Sequence, residues 1–360
     1  MAGIRKAAWI PVAVAVAAVK IFSLFPEAVE KYYSMGFYPV ISRVLRLLFG
    51  WVPFSIGDLF YVGMSCWLLW KLIRFLRLLR QRKIDRAWLG MFVYRSFLFI
   101  MWVYLSFNLL WGLNYNRAGI AAQLQLEVKP YTTDELQTVL TAIVMRMNET
   151  DSAAHANRNT LDTHHRLFSG AAHAYDTLAG QQPFFAYSSP SVKSSLFSTL
   201  GDYFGFTGYY NPFTGEAQVN TTVPVFVLPF TTCHEIGHQL GYAKENEANF
   251  AGYLAAKSSP DPVYRYSAYF DLYQYAAREL YLRDSNRLII LRNQLHPSIR
   301  KDYRELRAFF ARYENPFEPL IRVMYGNYLR ANEQPQGILS YNAVTACLVA
   351  YFKKFGPVAI

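Results

Sequence analysis

The stretch TTCHEIGHQLGYAKENEANF, residues 231–250, decides how this chain is read. Its spacing predicts two short helices hinged at Gly241. On the first helix His234 and His238 lie on one face, one turn apart. Gly241 sits where a C-cap would end that helix. KENEANFAGYLAA, which follows, makes a good second helix with acids in its first turn. Gly237 in the middle of the first helix costs roughly 1 kcal/mol, and its small size lets the second helix come close.

The residue types in HEIGH, 234–238, point to metal chemistry. Both imidazoles can reach one Zn²⁺ at ~2.0–2.1 Å. Neutral imidazoles leave the ion cationic enough to acidify a water, and Glu235, offset from them, can act as the general base toward that water. Such a site needs a third protein ligand. Glu247 shares a helix face with Phe250 and Leu254, and a tight helix–turn–helix would bring it back to the histidines; Glu245 is the alternative. Cys233 adjoins His234 but points ~100° away on a helix, so a buried small hydrophobe is the expected role. A transition-state donor would face the metal from elsewhere in the chain. Tyr341, in GILSYN, and His296 are the candidates downstream.

HEIGH followed by NEANF resembles the gluzincins, zinc metallopeptidases with a glutamate ligand. Asn246-Glu247-Ala248 is similar to the Asn-Glu-Ala motif that carries the third ligand of thermolysin-like members, although only eight residues separate His238 from Glu247. With TGYYNPFTGEAQVN upstream, the chain more closely resembles an uncharacterised family of bacterial membrane proteins with a predicted zinc peptidase domain. The resemblance implies a zincin-like domain, a Zn²⁺ cofactor held by His234, His238 and Glu247, Glu235 as the catalytic base, and a peptide or protein substrate. Zincins hold substrate as an added strand on a sheet edge, for which EAQVNTTVPV, before HEIGH, is the candidate. A non-catalytic membrane protein with a structural zinc site, closed by a fourth ligand such as Cys233 or His296, is the competing reading.

The flanks place this stretch in a membrane protein. Of 360 residues 53% are hydrophobic and 17% charged, with a formal charge of +11. Residues 1–118 hold 15 Lys and Arg against 4 Asp and Glu, whereas 119–360 hold 21 of each. The basic excess belongs to the apolar third of the chain, which suits lipid contact and argues against a nucleic-acid partner. Three apolar segments, 8–25, 54–70 and 96–113, predict three transmembrane helices. The connection 71–95 carries eight basic residues and one acid, so it is expected as a cytoplasmic loop. The polar flanks of HEIGH argue against a site inside the bilayer. The domain from 119 to 360 then faces the periplasm or cell exterior. VISRVLRLLFGWV, 40–52, reads either as a short interfacial helix or as an ordinary connector. The expected fold is a mainly α membrane protein: three N-terminal spans (1–118), then an α-rich α+β domain (119–360) with a small sheet. Helices are expected from Thr132 or Thr133, over 191–201, 262–285 and 298–313, and in the tail.

Overall fold

The computed structural model describes residues 9–161, 163–331 and 341–360. The chain opens with α1 (Trp9–Ser23), which breaks at Phe25-Pro26 and continues, bent by 101°, as α2 (Pro26–Phe49). Residues Val29–Phe37 within α2 are wound as a π-helix. α3 (Ile56–Arg80) and α4 (Arg86–Leu110) follow, each of 25 residues. At 1.5 Å per residue each is ~37 Å long, more than the ~30 Å hydrocarbon core of a bilayer. Among the described residues, two helices are therefore long and apolar enough to cross a membrane, and α1 with α2 make a third only if the bent pair counts as one. The span expected over 8–25 is only the 15-residue α1, which is short by itself, and the chain bends where Pro26 starts a new helix.

α3 and α4 form a hairpin. Trp67 packs on Phe99 with ring centroids 5.3 Å apart, and Phe75 stacks on Phe92 at 5.4 Å. The basic stretch expected as a loop over 71–95 is mostly helix, and only residues 81–85 link the pair. Asp85 caps α4 by accepting from the Trp88 N–H at 2.7 Å. Lys83 and the arginines around it thus gather at the closed end of the hairpin.

The open end of the hairpin is fastened to the rest of the chain. Ser55 caps α3 by accepting from the Asp58 N–H at 3.0 Å. The Glu216 carboxylate accepts from the N–H groups of Ile56 (3.2 Å) and Gly57 (2.5 Å), which satisfies donors that a helix start leaves unpaired. Asp58 in turn accepts from the Leu196 N–H at 2.7 Å.

α2 is amphipathic in the inverse sense to a helix on a soluble protein. Ser42 and Arg46 are buried against the domain, while Val40, Val44, Leu47 and Leu48 are exposed. Arg46 Nε donates to the carbonyls of Ser188 and Ser189 at 3.2 Å, and Ser42 Oγ donates to Gln239 O at 2.9 Å. A polar face turned inward and an apolar face turned outward fit a lipid surround.

The remainder is helical with one small sheet. α5 (Thr133–Asn157) starts at Thr132 with a reciprocal cap: Thr132 Oγ1 accepts from the Glu135 N–H, and the Glu135 carboxylate from the Thr132 N–H. α6 (His164–Ala179) precedes β1 (Val192–Ser194) and α7 (Ser198–Phe204). The helix expected over 191–201 is therefore a strand and a later, shorter helix. Lys193 is drawn into β1 because its ammonium donates to Gly50 O and its backbone pairs with β3. β2 (Gly208–Asn211) and β3 (Glu216–Val219) complete a sheet of order β1-β3-β2, parallel between β1 and β3 and antiparallel between β2 and β3. EAQV is thus the central strand and its edges are occupied. The edge that the site can use is β2.

α8 (Leu228–Gln239) and α9 (Glu245–Ser258) carry the HEIGH stretch. α10 (Pro262–Arg283), α11 (Ser285–Asn293), α12 (Pro297–Ala311) and α13 (Glu318–Ala331) follow, and α14 (Tyr341–Phe355) ends the helices. One core joins α5, α6, α8, α9, α10 and α14 around Phe226, Phe250, Tyr253 and Phe270. Val344, Cys347 and Leu348 of α14 are buried in it, so the tail helix packs on the domain.

Candidate metal centre

α8 is buried at every position, so its two histidines and Glu235 are fixed by packing before any ligand arrives. Its C-terminus closes as a Schellman turn. Gly241, at φ +87°, donates to His238 O (3.0 Å), and the Tyr242 N–H donates to Gly237 O (3.1 Å). A Cβ on Gly241 would stand 2.9 Å from the Tyr38 ring and 3.0 Å from Asn114 Oδ1, which adds a packing reason for glycine. The last carbonyls of α8 are taken by N-terminal residues. The Trp111 indole N–H donates to His238 O at 3.0 Å and the Tyr38 hydroxyl to Gln239 O at 2.8 Å. Arg117 Nη1 donates to Gly241 O at 3.0 Å. The Gln239 amide donates to Ser191 O and Gly215 O, tying the same turn to the strands. α8 is thus held between the N-terminal helices and the sheet.

The ring centroids of His234 and His238 lie 4.7 Å apart, nearly perpendicular. Their ligand atoms and that of Glu235 all fall within 4.8 Å of one another. The second acid at this point is Glu245, whose carboxylate lies 3.4 Å from His234 Nε2 and 3.8 Å from His238 Nε2. His238 Nδ1 is 2.7 Å from Tyr242 O. That contact suits a proton on Nδ1 and leaves the Nε2 lone pair facing the site. Glu235 Oε2 is buried without a hydrogen-bond partner. Its other oxygen sits over the start of β2, where a Cβ on Gly208 would come within 2.4 Å of it.

Glu247 does not join them. Glu245 and Glu247 are two residues apart on α9, ~200° around the helix axis. The face that meets α8 carries Glu245, Asn249 and Gly252, and a Cβ on Gly252 would stand 2.8 Å from the His234 amide nitrogen. The face with Glu247, Phe250 and Leu254 looks into the core instead. Glu247 lies against Gly119, and its Oε1 is 3.9 Å from Lys244 Nζ. Its carboxyl is raised above the usual range by burial, opposed by the charges of Lys244 and Arg117. The expectation that the shared face of Glu247, Phe250 and Leu254 returns to the histidines fails because apolar residues claim that face for the core.

The other sequence candidates stand apart as well. His296 Nδ1 pairs with Asp151 Oδ2 at 3.0 Å, away from the histidines. Tyr341 opens α14, and its side chain lies outside the described residues. Cys233 is fully buried in the core, as a small hydrophobe would be.

Electrostatics follow from burial. Desolvation works against charge on His234, but its hydrogen bond to Glu245 and the nearby acids prevail and lift it to about 9. Desolvation dominates at His238, which falls to about 4. Burial raises Glu235 to about 8, only partly opposed by His234. Asp271, on α10, is raised by burial to about 6 and faces the same space.

These groups form the floor of a cleft of about 1080 Å³. Glu235, Glu245 and Asp271 line it, and among the described residues no Lys or Arg does. Two imidazoles, clustered buried acids and an orphaned carboxylate oxygen form a donor set that a divalent cation would complete. Asn249, Asp271, Gln274 and Tyr275 reach the cleft although sequence reasoning passed over them. Asp271, Gln274 and Tyr275 share a face of α10 at i, i+3 and i+4, which was the available signal.

The fold and site define a mainly helical, membrane-associated chain with a buried His–Glu–His cluster. It belongs to the family described as protein of unknown function (DUF3810), whose model matches residues 33–349. No curated protein and no solved structure matches the chain.

Proposed function

We propose that this protein is a membrane-anchored metallopeptidase, with a metal held by His234, His238 and Glu245 and with Glu235 as the general base. One observation carries the reading: two histidine Nε2 atoms and the Glu245 carboxylate converge at an open cleft, beside a buried glutamate with an unpaired oxygen. Two imidazoles, one carboxylate and an open side make zinc the expected ion. Such an ion would supply Lewis acidity, polarising the scissile carbonyl and acidifying water.

The chain's own residues do the rest. Glu235 takes a proton from the attacking water as its oxygen bonds to the carbonyl carbon. When the carbon–nitrogen bond breaks, Glu235 passes that proton to the departing amine. β2 is an edge strand whose residues Gly208, Tyr209 and Tyr210 line the cleft, so it can take an extended peptide as an added strand. A structural zinc site would need a fourth protein ligand, and Cys233 and His296 both sit elsewhere. Purified protein is expected to hold close to one zinc per chain by elemental analysis and to lose it in His234→Ala; metal-free native protein that still folds and does not take up zinc would sink the site.

The hairpin supports one orientation in the membrane. Its closed end gathers basic residues, and both its open-end helix termini, Ile56 and Leu110, join the domain. Basic loops stay cytoplasmic, which puts the cleft on the other side, facing the periplasm or cell exterior. A cysteine placed at Lys83 should react with an impermeant thiol reagent only after the cell is opened. Labelling of intact cells would reverse the orientation.

A further inference from the structure

We infer that the cleft takes peptides tethered to the bilayer by an apolar anchor, the anchor lying along the flank of α3 while the peptide reaches the histidines. The inference rests on the peptidase reading for the peptide and on the cleft's walls for the anchor.

The walls are unusual for a peptide site. One wall is membrane helix: Tyr61, Val62, Ser65 and Cys66 form a single face of α3, joined by Phe107 of α4. Cys66 lies ten residues from Ile56, ~15 Å along α3. The cleft therefore continues from the metal centre down the side of a helix apolar enough to cross a membrane. The opposite wall is also apolar, with Leu200 and Phe204 of α7 and Phe310 of α12.

Apolar exposure extends around this opening. Leu196, Leu200 and Phe204 are about half exposed, and Phe317, Leu320 and Val323 more so. Exposed apolar side chains gathered on such an opening suit contact with lipid or an apolar ligand. A short free peptide would cover little of it. A peptide carrying an acyl chain or a transmembrane helix would bury its anchor there without leaving the membrane, and its polar part would lie beside β2.

Cys66 makes the inference measurable, since it is exposed while Cys233 and Cys347 are buried. Full-length Glu235→Gln protein in lipid nanodiscs is offered a mixed-sequence peptide in three forms: free, myristoylated, or extended by a polyleucine transmembrane helix. The readout is the rate at which a membrane-permeant maleimide labels Cys66. Anchored peptides are expected to slow labelling at concentrations at least about tenfold below the free peptide. Val62→Trp, which fills the α3 wall, should raise the concentration needed by a similar factor, with its thermal midpoint as the check on folding. If that variant does not fold, the comparison of peptide forms stands alone.

Equal protection by free and anchored peptide overturns the inference, and so does equal protection by myristate or polyleucine helix without the peptide. A difference between the two anchored forms identifies which anchor fits. Protection by anchored peptide that native, zinc-loaded protein never cleaves would leave the binding inference standing and remove the peptidase reading.

Discussion

Glu235→Gln is expected to lower peptide hydrolysis by ~10²–10⁴-fold while leaving zinc content unchanged. The substitution is nearly isosteric and keeps the packing of α8, which is buried along its whole length. The ligand atoms of His234, His238 and Glu245 stay where they are. What is lost is the proton acceptor, because an amide cannot take a proton from water at neutral pH. Residual hydrolysis within tenfold of the native rate, at full zinc occupancy, would remove Glu235 from the role of base.

The same variant tests the electrostatics in metal-free protein. Folding raises Glu235 from its ordinary value to about 8 because burial disfavours the carboxylate. Between those values the folded state holds a proton that the unfolded state has released. Stability from this group therefore falls as pH rises through that window. Glu235→Gln removes the dependence, so its thermal midpoint should exceed that of metal-free native protein at pH 8 and approach it at pH 4. Bound metal would reverse the situation, since a cation beside the carboxylate favours the charged form.

Much of this arrangement could be read from residue order, and the rest depended on facts that local patterns do not carry. Histidines four apart with a glycine two positions past the helix end specify α8 and its Schellman turn, because helix period and left-handed backbone are local properties. The capping box at Thr132 is legible for the same reason. The apolar segments announced long apolar helices, but not that α3 and α4 would run through the basic stretch, since Lys and Arg are good helix formers. The face of α9 was misread because Phe250 and Leu254 were credited to the metal side. The better guide was small residues: Gly237 and Gly252 mark where two helix backbones meet, and Glu245 lies on that side. Asp271 and Tyr275 reach the cleft through tertiary packing of α10, and no spacing within residues 262–283 tells which partner that face will meet.

Glu245→Ala and Glu247→Ala should separate cleanly. Glu245→Ala is expected to weaken zinc binding by more than the ~10–100-fold that loss of an outer partner costs, because a direct ligand is removed. It leaves the apolar core untouched but removes the partner that lifts His234, so the metal-free thermal midpoint should fall modestly at neutral pH. Glu247→Ala should do the reverse. It empties a buried position beside Gly119 and near Arg117 while the Arg117–Glu30 pair, at 2.6 Å, survives. A loss of ~1–3 kcal/mol is expected, with zinc retained; Glu247→Gln, which keeps the volume, should recover most of it. The alternative, in which α9 turns to deliver Glu247, would need a rotation of ~200°. That rotation would pull Phe250 and Leu254 from the core and press larger side chains against the His234 backbone, where Gly252 leaves no room even for a Cβ. Zinc lost in Glu247→Ala and kept in Glu245→Ala would require that rearrangement and overturn the ligand assignment.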